Sequence, residues 1–154
     1  MRVKTVFKNL VKTHLASLNT MFETELANVL QQPYASEAKC FFIEYESQSF
    51  DSHFSVCLYA IDIEANLVGK VHWFLENKAV VISDKIYLSE EYEAIEPWAT
   101  ASTILEVWLI KRWAAVGNNK LPAYLSHHDS YFVQDIATGA QTNWDNIMKV
   151  MNGL

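Results

Sequence analysis

The densest group of side chains able to do chemistry is His127-His128-Asp129. Imidazole and carboxylate together can ligate zinc, or serve as a general base and the group that orients it. On a strand, however, adjacent side chains point to opposite faces, so the two imidazoles do not converge by themselves. His14, His53 and His72 stand singly, and Cys40 and Cys57 are separated without any C-x-x-C spacing. No second cluster has ligand spacing, so no metal centre is expected. Glu44 and Glu46 alternate onto one face of a β-type run. Paired carboxylates do the acid–base work of many hydrolases, but the commoner setting for such a pair is the solvated rim of an antiparallel sheet. The chain has no G-x-S-x-G, no H-E-x-x-H and no P-loop, and its four glycines, Gly69, Gly117, Gly139 and Gly153, are isolated. A backbone phosphate cradle uses clustered glycine. The expectation is therefore a protein that is not an enzyme and carries no cofactor.

A second constellation has binding rather than catalytic character. Asp84, Glu90, Glu91, Glu93 and Glu96 lie close together, interleaved with Tyr87, Tyr92 and Trp98. Acids alone suit a solvated connector. Acids mixed with aromatics suit a contact surface, because rings supply binding energy and charge supplies steering. Tyr87, Glu90, Glu91, Tyr92, Glu93, Glu96 and Trp98 are the expected partner-binding residues.

The overall charge points the same way. The formal net charge is −6, while residues 1–20 hold Arg2, Lys4, Lys8 and Lys12 and no acid, so the remainder carries all of the acidic excess. Such a body repels nucleic acid and anionic membrane and attracts basic proteins. Hydrophobic residues at 51% and charged residues at 19% exclude a disordered chain. About two thirds of the surface of a chain this long is buried on folding, enough for one domain without disulfide or metal staples. Two cysteines without an export signal indicate buried thiols in a reducing, cytoplasmic setting.

Periodicity gives the elements that would position these groups. Val3 to Leu30 reads as one long amphipathic helix, with Lys4, Lys8 and Lys12 on the polar face. Acid-free basic helices can be targeting or membrane-surface segments, but the pattern continues past Glu23 and Glu25, as in the first helix of a domain. Gln31-Gln32-Pro33 ends it. Cys40–Glu46, Phe54–Ile63, Val68–Leu75 and Ala79–Ser83 read as strands. Their short connections predict a four-stranded antiparallel meander, apolar on both faces and so needing cover on both, by helices or a second subunit. Pro97 opens a second, nearly all-apolar helix that stops near Gly117, with Trp108 at its core and Glu106 as an odd acid that either pairs with a cation such as Lys111 or Arg112 or faces the surface. Leu121–Leu125 and Tyr131–Ile136 are each a short strand or a helical turn. Thr142 caps a last helix reaching Met151.

These readings describe one α+β domain spanning residues 1–154. Size, acidity and architecture are compatible with an inhibitor or immunity-type protein that occludes a basic partner, such as a bacterial toxin domain. This is a class-level analogy. A secretion-chaperone-like homodimeric adaptor is the alternative, since a two-sided apolar sheet could face another subunit. A small hydrolase using His127, His128 or Asp129 with Glu44 or Glu46 is the third.

Overall fold

The computed structural model describes residues 2–46, 53–77, 80–81, 90–117, 120–128 and 130–153. In chain order the elements are α1 (Arg2–Ser17), α2 (Asn19–Gln31), β1 (Cys40–Glu46), β2 (His53–Ile61), β3 (Leu67–Trp73), a 3-10 turn (Phe74–Asn77) and β4 (Val80–Val81). They continue with α3 (Glu90–Glu93), α4 (Pro97–Val116), β5 (Ala123–His127), β6 (Phe132–Asp135), β7 (Gln141–Asn143) and α5 (Trp144–Met151). The class is α+β.

The sheet departs from a pure meander. Its order is β3-β2-β1-β5-β6-β7, with β4 also pairing β2. β1 is antiparallel to β2 but parallel to β5, Ile43 standing opposite Leu125. Long connections make parallel pairing possible, and here the chain between β3 and β5 includes the twenty residues of α4. The short connections flanking β2 anticipate only its own two antiparallel neighbours. Gly69, at φ +77°, lies where the β2–β3 register shifts between Leu58 and Ala60, a bulge that a side-chain-bearing residue enters only with strain.

One face of the sheet is closed by α1, α2 and α4. Phe41, Ile43 and Tyr45 of β1 and Phe54, Val56 and Leu58 of β2 meet Phe7, Val11 and Leu15 of α1, Phe22 and Leu26 of α2 and Leu105, Trp108 and Leu109 of α4 in one core. Trp108 is 7% exposed and its ring lies 4.9 Å from that of Phe22, as expected for a core anchor. The expected single helix from Val3 to Leu30 is broken at Leu18. The Ser17 hydroxyl donates back to the His14 carbonyl, and Trp108 Nε1 donates to Asn19 Oδ1 at 2.6 Å. Side-chain bonds of this kind compete with the helical ladder, and hydrophobic period alone does not register them.

Glu106 is resolved differently from the expected pairing with Lys111 or Arg112. It accepts hydrogen bonds from the Tyr45 hydroxyl and, at 3.1 Å, from Gln134 Nε2. Arg112 instead sits 3.5 Å from Glu23 of α2. Glu25 caps the 3-10 turn, accepting from Leu75 N at 3.1 Å while contacting His72 Nε2 at 2.7 Å. The α4 boundaries follow the sequence, with Pro97 in the first turn and Gly117 N–H donating to the Trp113 carbonyl. The last helix is capped one residue later than expected, by Asn143, whose side chain accepts from Asn146 N at 3.0 Å. Among the described residues no helix is long and apolar enough to cross a membrane.

Candidate functional site

Among the described residues, the second face of the sheet is only partly covered. Along β1 it presents Cys40, Phe42, Glu44 and Glu46, and along β2 Ser55, Cys57, Tyr59 and Ile61. α5 closes the Cys40 end, where Ile147 is buried with Phe42, Ile61, Tyr124 and Val133. Phe42 stacks with Trp144 at 4.8 Å and with Tyr59 at 5.7 Å. Beyond α5 the face opens into a hollow of about 390 Å³, whose walls include Glu44, Tyr59, Leu67, Trp73, His128 and Trp144. A smaller hollow of about 350 Å³ shares Glu44 and Trp144 and adds Ser130 and Tyr131.

Glu44 is the polar centre of this surface. Its Oε1 accepts from the Tyr59 hydroxyl at 3.1 Å, and its Oε2 lies 3.1 Å from His128 Nδ1. Cys57 stands opposite Glu44 in the β1–β2 register. Burial, with the charge of Glu44 adding to it, pushes the Cys57 thiol up to about 12. Burial and the same carboxylate also push Tyr59 upward, so its hydroxyl stays a donor at neutral pH. Glu46 lies on the same face of β1 and is exposed. Trp73 and Leu67 are about half exposed, at 47% and 51%, and Tyr131 at 48%. Exposed rings around a fixed carboxylate fit a contact surface for cations, which are attracted both to the charge and to aromatic faces.

The same geometry bears on hydrolysis. The two histidines point apart, as alternation requires. His127 packs edge-on against Tyr45, with ring centres 5.0 Å apart, and lines a hollow with Glu106 and Gln134. His128 meets Glu44 on the second face. Asp129 lies outside the described residues. The His128–Glu44 pair has the chemistry of a general base and its orienter. The neighbouring hydroxyl and thiol are poorly placed as nucleophiles, because Ser126 is buried with its hydroxyl donating to the His127 carbonyl and Cys57 is held as a thiol. Among the described residues no group of three or more His, Cys, Asp or Glu could hold a metal ion.

The acidic segment singled out from sequence occupies a different place. Asp84 and Tyr87 lie outside the described residues. Glu90 and Glu93 are exposed on α3, while the side chains of Glu91 and Tyr92 fall outside the description. α3 packs on α1 in the helical layer, with Ile95 against the first core. Glu96 precedes α4 at φ 51°, an unfavourable backbone for a residue other than glycine, and the Thr100 hydroxyl braces this entry by donating to the Ile95 carbonyl at 2.9 Å. Trp98 is partly exposed, at 38%. The described part of the segment, residues 90–98, and the Glu44 hollow therefore belong to opposite sides of the sheet. Along the sequence Glu44 and Glu46 read as a solvated rim, because nothing local shows Trp73 of β3, His128 at the end of β5 and Tyr131 just before β6 arriving beside them.

Compared with protein-family models, with curated proteins and with solved structures, the chain matches none.

Proposed function

We propose that this protein is a binding module that engages a basic protein partner, in the manner of an inhibitor or immunity-type protein, through the open second face of its sheet. The observation that carries this reading is the hollow beside α5, where Glu44 is fixed by Tyr59 and His128 among Leu67, Trp73 and Trp144. A pre-positioned carboxylate needs no rearrangement to receive an arginine or lysine side chain. Rings that surround the pair shield it from water and strengthen it. Occlusion would follow from charge mimicry, acids and rings covering a basic cleft that normally receives an anionic substrate. The acidic residues Glu90, Glu91, Glu93 and Glu96, with Tyr87, Tyr92 and Trp98, form a separate candidate surface.

The test is kinetic. The partner is recovered with the wild-type chain as bait, and its binding to Glu44→Lys/Glu46→Lys and Trp73→Ala variants is followed by stopped flow at two salt concentrations. The charge reversals should slow association and flatten its salt dependence, and Trp73→Ala should speed dissociation. Unchanged kinetics in both variants overturns the assignment of this face. A homodimeric adaptor is the second reading, favoured by the exposed Leu67 and Trp73 on the same face. Light scattering separates them, since a stable dimer that Trp73→Ala dissociates supports the adaptor.

A further inference from the structure

The helical side of the molecule carries a groove of opposite character. α1 and α4 pack side by side and leave between them a groove of about 780 Å³. One wall is a row of Lys4, Lys8 and Lys12, four residues apart on α1, with Lys111 opposite on α4. At 1.5 Å rise per residue the three α1 lysines are about 6 Å apart and the row spans about 12 Å. The groove also takes in apolar side chains of α4, including Ile104 and Val107, the latter 50% exposed. None of these four lysines is engaged in an ion pair among the described residues. Arg112 also lines the groove, and its Nε is the buried side-chain donor that lacks a hydrogen-bond partner among the described residues. Glu96 contributes a single acid to the lining. On a chain of net charge −6, this is a local reversal of sign.

We infer that the α1–α4 groove is a docking site for an acidic amphipathic helix of a partner protein. The recognising chemistry is a row of carboxylates at four-residue spacing, set against Lys4, Lys8 and Lys12, beside an apolar stripe laid on Ile104 and Val107. A helix is the element whose own i, i+4, i+8 positions repeat at the lysine spacing, and apolar grooves between helices are a recurrent way of holding one. A single fatty-acid carboxylate would occupy one cation and leave the rest unmatched. A flat bilayer surface does not enter a concave groove, and a nucleic acid backbone has no apolar stripe to lay on Ile104 and Val107.

The probe is a fluorescein-labelled peptide of about 16 residues with glutamate at every fourth position and leucine along one stripe, titrated with the full chain by anisotropy. Comparison arms are the same peptide with lysine replacing glutamate, oleate, and phosphatidylglycerol vesicles. The acidic peptide should bind, and the lysine peptide, which the acidic second face attracts, should not displace it. Lys8→Glu/Lys12→Glu should weaken the acidic peptide about tenfold or more, equivalent to about 1.4 kcal/mol, and should gain affinity for the lysine peptide. Lys4→Gln/Lys8→Gln/Lys12→Gln removes the charge without reversal and should give the same direction of loss, with far-UV circular dichroism confirming the fold in each variant. No binding of the acidic peptide, equal binding by the reversed variant, or tighter capture of oleate or vesicles than of peptide would each overturn the inference.

Discussion

Trp108 joins the packing of the helical layer to the break between α1 and α2, so its removal should be felt twice. The side chain is 7% exposed, lies against Phe22, and donates Nε1 to Asn19 Oδ1 at 2.6 Å. Truncating a buried tryptophan to alanine costs roughly 3–5 kcal/mol through lost transfer energy and an incompletely collapsed cavity. Loss of the bond to a half-buried Asn19 adds about 1 kcal/mol. With a urea m-value of about 2 kcal/mol per M, Trp108→Ala should therefore lower the unfolding midpoint by about 2–3 M. Trp108→Phe keeps most of the ring and should cost only about 1–2 kcal/mol, most of it the hydrogen bond. Combining it with Asn19→Ala should give a coupling energy of about 1 kcal/mol, since the second change removes a partner already lost. Equilibrium urea unfolding followed by circular dichroism measures the wild type, Trp108→Ala, Trp108→Phe, Asn19→Ala and the double variant. A loss below about 1 kcal/mol for Trp108→Ala, the scale of an ordinary substitution, would refute the placement of α4 at the centre of the core. Zero coupling would refute the role of Asn19 in setting the helix break.

Cys40 and Cys57 are both buried, and burial pushes each thiol up to about 12. The native chain should therefore react slowly with thiol reagents at neutral pH. Because the folded state favours the protonated thiols, stability is complete below the ordinary value of 9.0 and falls as pH rises from there toward about 12, a loss that Cys57→Ser should lessen in pH-dependent thermal melts. Glu106→Ala should destabilise by about 1–3 kcal/mol, because Tyr45 and Gln134 lose their common acceptor, whereas Glu106→Gln should recover part of that in urea titrations. Asn143→Ala should cost about 1 kcal/mol by removing the cap on α5, with faster amide exchange in that helix as the local readout. Reversing Glu90 and Glu93 should leave partner association unchanged if contact runs through the Glu44 face, and should slow it if the acidic segment is the contact.

Much of the secondary structure is legible in the residues. β1 runs from Cys40 to Glu46 as its β-branched and aromatic content implies, and α4 begins at Pro97 and stops at Gly117 as proline and glycine chemistry dictate. The need for cover on both faces of the sheet also follows from Phe42 and Tyr59 pointing opposite to Ile43 and Leu58. Topology was less accessible. The parallel contact of β1 with β5 joins residues about eighty positions apart, and no local pattern encodes it. The break at Leu18 depends on Trp108, and the cluster at Glu44 depends on His128, each distant in sequence. For the same reason the acidic segment, whose residues are contiguous, dominates a reading made along the chain. The hollow at Glu44, assembled from β1, β2, β3, the end of β5 and α5, emerges only in three dimensions.

Hydrogen exchange of the complex with its basic partner tests the docking face most directly. The account predicts slowed amide exchange in β2, in β3 and at residues 126–128, centred on Glu44, Trp73 and His128, with α1 and α3 unchanged. Protection confined to α3 and the start of α4, with β2 and β3 exchanging as in the free protein, would contradict it.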